Sequence, residues 1–148
     1  MVAYNTDPLY SIRGNQSNNG TTGMNALVTA AANDYTGAGA NNSLVFTAHA
    51  TAGSYIQRLR FKAGGTNVAT VARVFINNGS ANTIATNNVF YGEVSLPATT
   101  AIATAATVDI DYPLNFALKP GFRIYIGLGT AVAAGWVVTP MAGDYSDA

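Results

Sequence analysis

Between Val108 and Leu118 the chain alternates with a period of two: Val108, Ile110, Tyr112, Leu114, Phe116 and Leu118 fall on one side, and Asp109, Asp111, Pro113 and Asn115 on the other. That period belongs to a strand with one face buried and one wet, because successive side chains of an extended backbone point to opposite faces. Pro113 lacks the N–H that a ladder needs, which places it at a bulge or on a sheet edge. The run ends at Lys119-Pro120-Gly121, where Pro suits the first and Gly the second central position of a type II turn. The alternation then resumes through Phe122, Ile124, Ile126 and Leu128, which predicts a return strand and a core containing Leu114, Phe116, Phe122, Ile124 and Ile126.

The rest of the chain is consistent with this. Apart from Ala, good helix formers are scarce, with one Glu, two Gln, two Lys and eight Leu against 17 Thr, 15 Asn and 15 Gly. Further strands are expected over Ser43 to Thr51, Tyr55 to Lys62, Asn67 to Ile76, Val89 to Leu96 and Trp136 to Thr139, the last closed by Pro140. Asn77-Asn78-Gly79 has the residues of a tight hairpin turn. Short strands punctuated by Gly, Asn and Pro predict an all-β fold, an antiparallel β-sandwich that is jelly-roll-like.

The length of 148 residues suits one such domain. Residues 1–42 differ from the remainder: Gly14 to Gly23 has almost nothing apolar to bury, which predicts an extended N-terminal arm and linker ahead of a sandwich over 43–148. Within it, Met24 to Ala32 is the stretch a short helix would fit, although Thr29 and the lack of a charged face count against one.

Charge narrows the function. Seven cations and seven anions make up 9% of the chain, well below the roughly 25% of an average soluble domain. A nucleic-acid surface needs clustered Lys and Arg, so no nucleic-acid partner is expected. No stretch has the length of a membrane span, and the first residues lack the basic and apolar regions of a secretory signal, so neither a membrane partner nor a leader is expected. With no cysteine, disulfides and thiolate metal sites do not arise.

The material for chemistry is thin. His49 is the single histidine, on the polar Thr47, His49, Thr51 side of its strand, with no recognisable Ser or Asp motif beside it. Asp109 and Asp111 share a strand face, as a carboxylate pair or a calcium site would require, but the third acid, Glu93, would have to come from another strand. Gly127-Leu128-Gly129-Thr130 starts like a dinucleotide loop, yet Val132 holds its third glycine position. Sequons at Asn15, Asn19, Asn41 and Asn78 arise readily in a chain so rich in Asn, Ser and Thr. No catalytic, cofactor or metal residue is assigned. The one charged cluster is the strip Arg58, Arg60, Lys62 on one strand face, a candidate docking strip for an acidic patch, with Asp109 and Asp111 as the comparable acidic cluster.

The segments LNFALKPGFRIYIGLGTAVAAGWVVTPMAGDY (Leu114 to Tyr145) and GGTNVATVARVFINNG (Gly64 to Gly79) resemble small virion proteins of tailed bacteriophages, head decoration or cement proteins with a jelly-roll domain. The resemblance implies a non-enzymatic protein on the outer capsid surface that binds the major capsid protein, commonly as a homotrimer, and stabilises the shell. A tail-fibre or glycan-binding receptor module is the alternative. A polysaccharide-cleaving enzyme using Asp109, Asp111 and Glu93 is a third expectation, for which the acid constellation is incomplete.

Overall fold

The computed structural model describes residues 13–15 and 26–145. Nine strands follow in chain order: β1 Arg13–Asn15, β2 Ala26–Val28, β3 Ser43–Thr47, β4 Ser54–Ala63, β5 Thr70–Asn77, β6 Asn88–Leu96, β7 Asp109–Leu118, β8 Arg123–Leu128 and β9 Trp136–Asp144. A 3₁₀ turn, Ala85–Asn87, precedes β6. One sheet has the order β1-β9-β4-β7, with β2 also paired to β9, and the other has the order β3-β8-β5-β6. Every strand pair is antiparallel. From β2 onward the first strand pairs with the last, β3 with β8, β4 with β7 and β5 with β6. That nested pairing over two facing sheets is the jelly-roll arrangement.

The core lies between the sheets. Ile56, Leu59 and Phe61 of β4, Phe46 of β3, Ile124 and Ile126 of β8, and Trp136 of β9 are fully buried. Leu114 is buried too, while Phe116 and Phe122 are partly buried and pack against the cluster, so the expected register around the Pro120 turn holds. Each such aliphatic or aromatic burial contributes about 1.5–3 kcal/mol. The turn itself is as expected: the Phe122 N–H donates to the Lys119 carbonyl at 3.1 Å and Gly121 has φ of 72°. It carries the chain from one sheet to the other, however, because β7 and β8 belong to different sheets.

Several expectations need correction. No helix forms over 26–32, the described part of the segment Met24 to Ala32: Met24 and Asn25 lie outside the described residues, and Ala26–Val28 is a strand on β9 with Val28 fully buried. Burial of Val28 between the sheets outweighs the weak helical preference of its neighbours. Parts of the segment expected to be an arm therefore belong to the sandwich, since β1 and β2 both pair with β9; residues 1–12 and 16–25 of that arm lie outside the described residues. Pro140 does not end the last strand. It pairs with Leu59, at a position between the β2 register, which ends at Val138, and the β1 register, which begins at Ala142. With no described strand on that side of Pro140, the missing N–H interrupts no ladder there.

Pro113 sits on β7, which is both an edge strand and bulged, as its chemistry requires. Opposite it the β4 register shifts between Ile56 and Arg58, and Asn115 takes a left-handed φ of 53°, which Asn tolerates better than most residues. Against β9 the extra residue is Gln57 of β4 itself, which resets the alternation of β4, so Tyr55 and Gln57, expected on the side of Leu59 and Phe61, instead lie outside the core with Gln57 exposed. The β5–β6 connection is a ten-residue loop, 78–87, in place of a tight turn. Its amides hold it together: Asn77 Nδ2 donates to Asn88 Oδ1 at 2.8 Å, Asn78 Nδ2 to Asn87 Oδ1 at 3.2 Å, and Asn88 Nδ2 to the Asn82 carbonyl at 2.7 Å.

Candidate functional site

The five residues of the candidate docking strip come together on the outer face of the first sheet. Arg58, Arg60 and Lys62 alternate on β4 with the core residues Leu59 and Phe61, and the register places Arg60 opposite Asp111 and Lys62 opposite Asp109. The ion pairs run diagonally: Arg58 Nε lies 3.5 Å from Asp111 Oδ1, and Arg60 Nη2 bonds Asp109 Oδ2. Lys62 Nζ donates to the Thr107 carbonyl. Cross-strand neighbours of opposite charge interact in this way whenever a sheet face is wet. The carboxylates expected to serve as partners for the strip are thus taken by cations of the same chain, which leaves a nearly neutral face. Next to it a shallow depression of about 310 Å³ is lined by Gln57, Arg58, Asp111, Pro113 and Asn115. Tyr55 reaches Asn115 Oδ1 at 3.4 Å.

The structure separates the acids of the hydrolase expectation. Glu93 is on β6 in the second sheet, where its Oε1 accepts from Arg73 Nε at 3.0 Å. Arg73 faces outward from that sheet, opposite in direction to Ala72 and Val74 of the core, so Glu93 and the Asp109, Asp111 pair occupy opposite outer faces of the sandwich. Among the described residues no group of three or more His, Asp or Glu side chains is placed to hold a metal ion.

His49 follows the end of β3. Its Nδ1 accepts from the Ala52 N–H at 3.2 Å, and its own backbone N–H donates to Ser54 Oγ at 2.9 Å. Ser54 Oγ in turn donates to Asp144 Oδ1 at 2.6 Å, a buried pair 90 residues apart in sequence. A nucleophilic serine would bond its hydroxyl to the imidazole; here the hydroxyl bonds the carboxylate and holds the β3–β4 turn to the end of β9.

Sequence reasoning missed a polar cluster on the outer face of the second sheet. The segment 31–42 folds over β8 and β5, and the Ala32 N–H donates to the Leu128 carbonyl at 2.9 Å. This covers Arg73, whose Cζ lies 4.0 Å from the centroid of the Tyr35 ring while Nη2 donates to the Tyr35 hydroxyl at 3.1 Å. Burial opposes the charge on Arg73, but the bonds to Glu93 and Tyr35 outweigh it and raise its pKa. Burial likewise works against ionised Asp34, yet bonds from the Asn42 side chain, Thr36 and the Gly37 N–H hold its carboxyl below the ordinary aspartate value. Gly127 serves this packing: a Cβ there would lie 2.2 Å from Asn42 Oδ1. The first of the two glycines that suggested a phosphate loop therefore lets a side chain lie close on the sheet. The signals were an arginine inside the apolar run Val71 to Ile76 and the single glutamate of the chain.

Fold and surface together define an all-β jelly-roll domain in which, among the described residues, Arg58, Arg60 and Arg73 are ion-paired with Asp111, Asp109 and Glu93. No protein-family model, curated protein or solved structure matches it. No helix among the described residues is long and apolar enough to cross a membrane.

Proposed function

We propose that this chain is a non-enzymatic virion protein that binds the outer surface of an assembled phage capsid, with the major capsid protein as its partner, and stabilises the shell as a homo-oligomer, expected to be a trimer. The observation that carries the reading is the surface. The cations Arg58, Arg60 and Arg73 are matched to Asp111, Asp109 and Glu93, while Val89, Phe90 and Tyr91 stay exposed on an edge strand. Such a surface suits association through apolar contact, with little electrostatic cost. The fold supports the reading by analogy alone, since jelly rolls serve capsid proteins and lectins alike. A ligand that binds only the assembled lattice stabilises it by mass action and needs no chemistry.

The test is incubation of the purified protein with empty capsids of a phage that encodes it. Co-sedimentation, with a raised temperature of shell disruption, is expected. Failure to bind at any protein concentration overturns the reading. One feature favours the glycan-binding alternative: the depression bounded by Gln57, Arg58, Asp111 and Asn115 offers the amides and charged groups that hold sugar hydroxyls. Binding to host-surface glycans, lost in Asp111→Ala, combined with no capsid binding, would decide for it.

A further inference from the structure

On the outer face of the second sheet, the start of β5 and the residues just after β8 border an open cleft of about 410 Å³. That size falls within the roughly 300–1,000 Å³ of small-molecule sites. Arg73 is its charged lining residue and is only 8% exposed. A guanidinium has five N–H groups to place. Nε donates to Glu93 at 3.0 Å, Nη2 to the Tyr35 hydroxyl at 3.1 Å and Nη1 to the Asp34 carbonyl at a long 3.5 Å. One N–H on each Nη is therefore left without a partner among the described residues. Gly129 leaves room beside Nη2, since a Cβ there would lie 3.7 Å away from it, in ordinary contact.

The walls are fixed before a ligand arrives. The Gly129 N–H donates to the Val71 carbonyl at 2.9 Å, and the Thr130 N–H donates to Thr70 Oγ1 at 2.9 Å. The Thr70 hydroxyl donates back to the Thr130 carbonyl at 3.0 Å. Asn33, with a left-handed φ of 43°, is anchored by its N–H on the Leu128 carbonyl at 3.2 Å. Its side-chain amide and the Thr130 hydroxyl, on exposed residues, make no hydrogen bond among the described residues. A site set in this way loses little ordering entropy on binding.

We infer that this cleft binds one neutral sugar residue, with its hydroxyls on Arg73, Asn33 and Thr130. Three features select that class. Arg73 only donates, whereas an amide and a hydroxyl both donate and accept, a mixture that vicinal hydroxyls satisfy. The charge of Arg73 is already matched by Glu93, and among the described residues no second cation lines the cleft, so an anionic ligand would meet Glu93 without a counter-charge of its own. The apolar lining is only Ala69 and Val71, enough for the C–H groups of a pyranose ring and too little for an aromatic ring or an acyl chain. This inference does not rest on the virion reading, and its site lies on the face of the sandwich opposite the depression at Arg58 and Asp111.

The experiment is an amide NMR titration of the full chain with the methyl glycosides of glucose, galactose and mannose, and with sodium glucuronate as the anionic counterpart. At least one methyl glycoside should shift the backbone signals of Asn33, Gly129 and Thr130 and the Arg73 Nε–H. Asn33→Gly removes the amide yet keeps a residue suited to the left-handed φ, and should weaken binding by about fivefold, as loss of one hydrogen bond does. Gly129→Val fills the cleft beside Nη2 and should abolish the shifts; if it melts below the wild type, Asn33→Gly alone decides. Asp111→Ala should leave binding unchanged. The inference is overturned if no methyl glycoside shifts these signals at its highest soluble concentration, or if glucuronate binds at least as tightly. Unchanged binding in Asn33→Gly or in a folded Gly129→Val also overturns it, and so does loss of binding in Asp111→Ala, which would move the sugar to the first sheet.

Discussion

Asn67 offers a quantitative test of how the amide side chains hold this fold. It is 4% exposed, in the β4–β5 connection, and its Nδ2 donates to the Gly135 carbonyl at 2.9 Å. Its Oδ1 accepts from the N–H groups of Ala134 and Gly135 at 2.9 and 3.0 Å. One side chain therefore anchors the β8–β9 connection 68 residues away. Asn67→Ala deletes these three bonds, worth about 1 kcal/mol each in net terms. It also strands the buried Gly135 N–H, which costs a further ~1–3 kcal/mol where no water replaces the amide. The expected loss is about 4–6 kcal/mol, a large share of the 5–15 kcal/mol typical of a domain. Urea denaturation should show a lower midpoint at an unchanged slope. Asn78→Ala, which removes two exposed bonds, from Nδ2 to Asn87 Oδ1 and from the Ser80 N–H to Oδ1, should cost less than about 1 kcal/mol in the same assay because water replaces both. Equal losses in the two variants would refute the reasoning, because Asn67 is buried and makes three bonds while Asn78 is exposed and makes two.

Three further outcomes follow from the same geometry. Ile124→Asp places an unpaired carboxylate in the fully buried core and should abolish soluble expression; a soluble variant with wild-type melting would refute the register of β8. Asp34 has a folded pKa below its ordinary value of 3.8, so the stability it contributes is complete above that value and is lost as pH falls through the lower folded value; Asp34→Ala should weaken this acid dependence in a melting series from pH 6 to about pH 2. Arg60→Asp should destabilise the isolated chain by no more than about 1 kcal/mol, and adding Asp109→Arg should restore it, with both effects reduced in 1 M salt, because the pair is intramolecular and exposed.

The parts of the fold that could be read from sequence are those set by local alternation. β7 and β8 were legible because each buries one face, and the turn between them because Pro and Gly occupy the positions its dihedrals demand. Where contacts distant in sequence decide, local reading failed. Nothing near Val28 announces that β9, more than 100 residues later, will pair with it. Likewise Pro140 reads as a terminator until the gap between the β1 and β2 registers is seen. The side assigned to Tyr55 and Gln57 was wrong for a related reason, since Gln57 is an extra residue of β4 against β9, where Ile56 pairs with Ala142 and Arg58 with the next residue, Met141.

The same distinction applies to the surface. Residue type and spacing placed Arg58, Arg60 and Lys62 on one face and Asp109 and Asp111 on another, but only the pairing of β4 with β7 brings the two faces into one. Once paired, the charges that looked like a means of docking neutralise each other, and exposed pairs of this kind contribute at most about 1 kcal/mol. On β6, by contrast, Val89, Phe90 and Tyr91 remain exposed, in a stretch that sequence marked simply as one more strand. Hydrophobic residues on an edge and in a core give the same letters. They are told apart by whether a second layer covers them, and among the described residues β6 has that layer on the inner side and, through Tyr35, beside Phe90 at 5.4 Å.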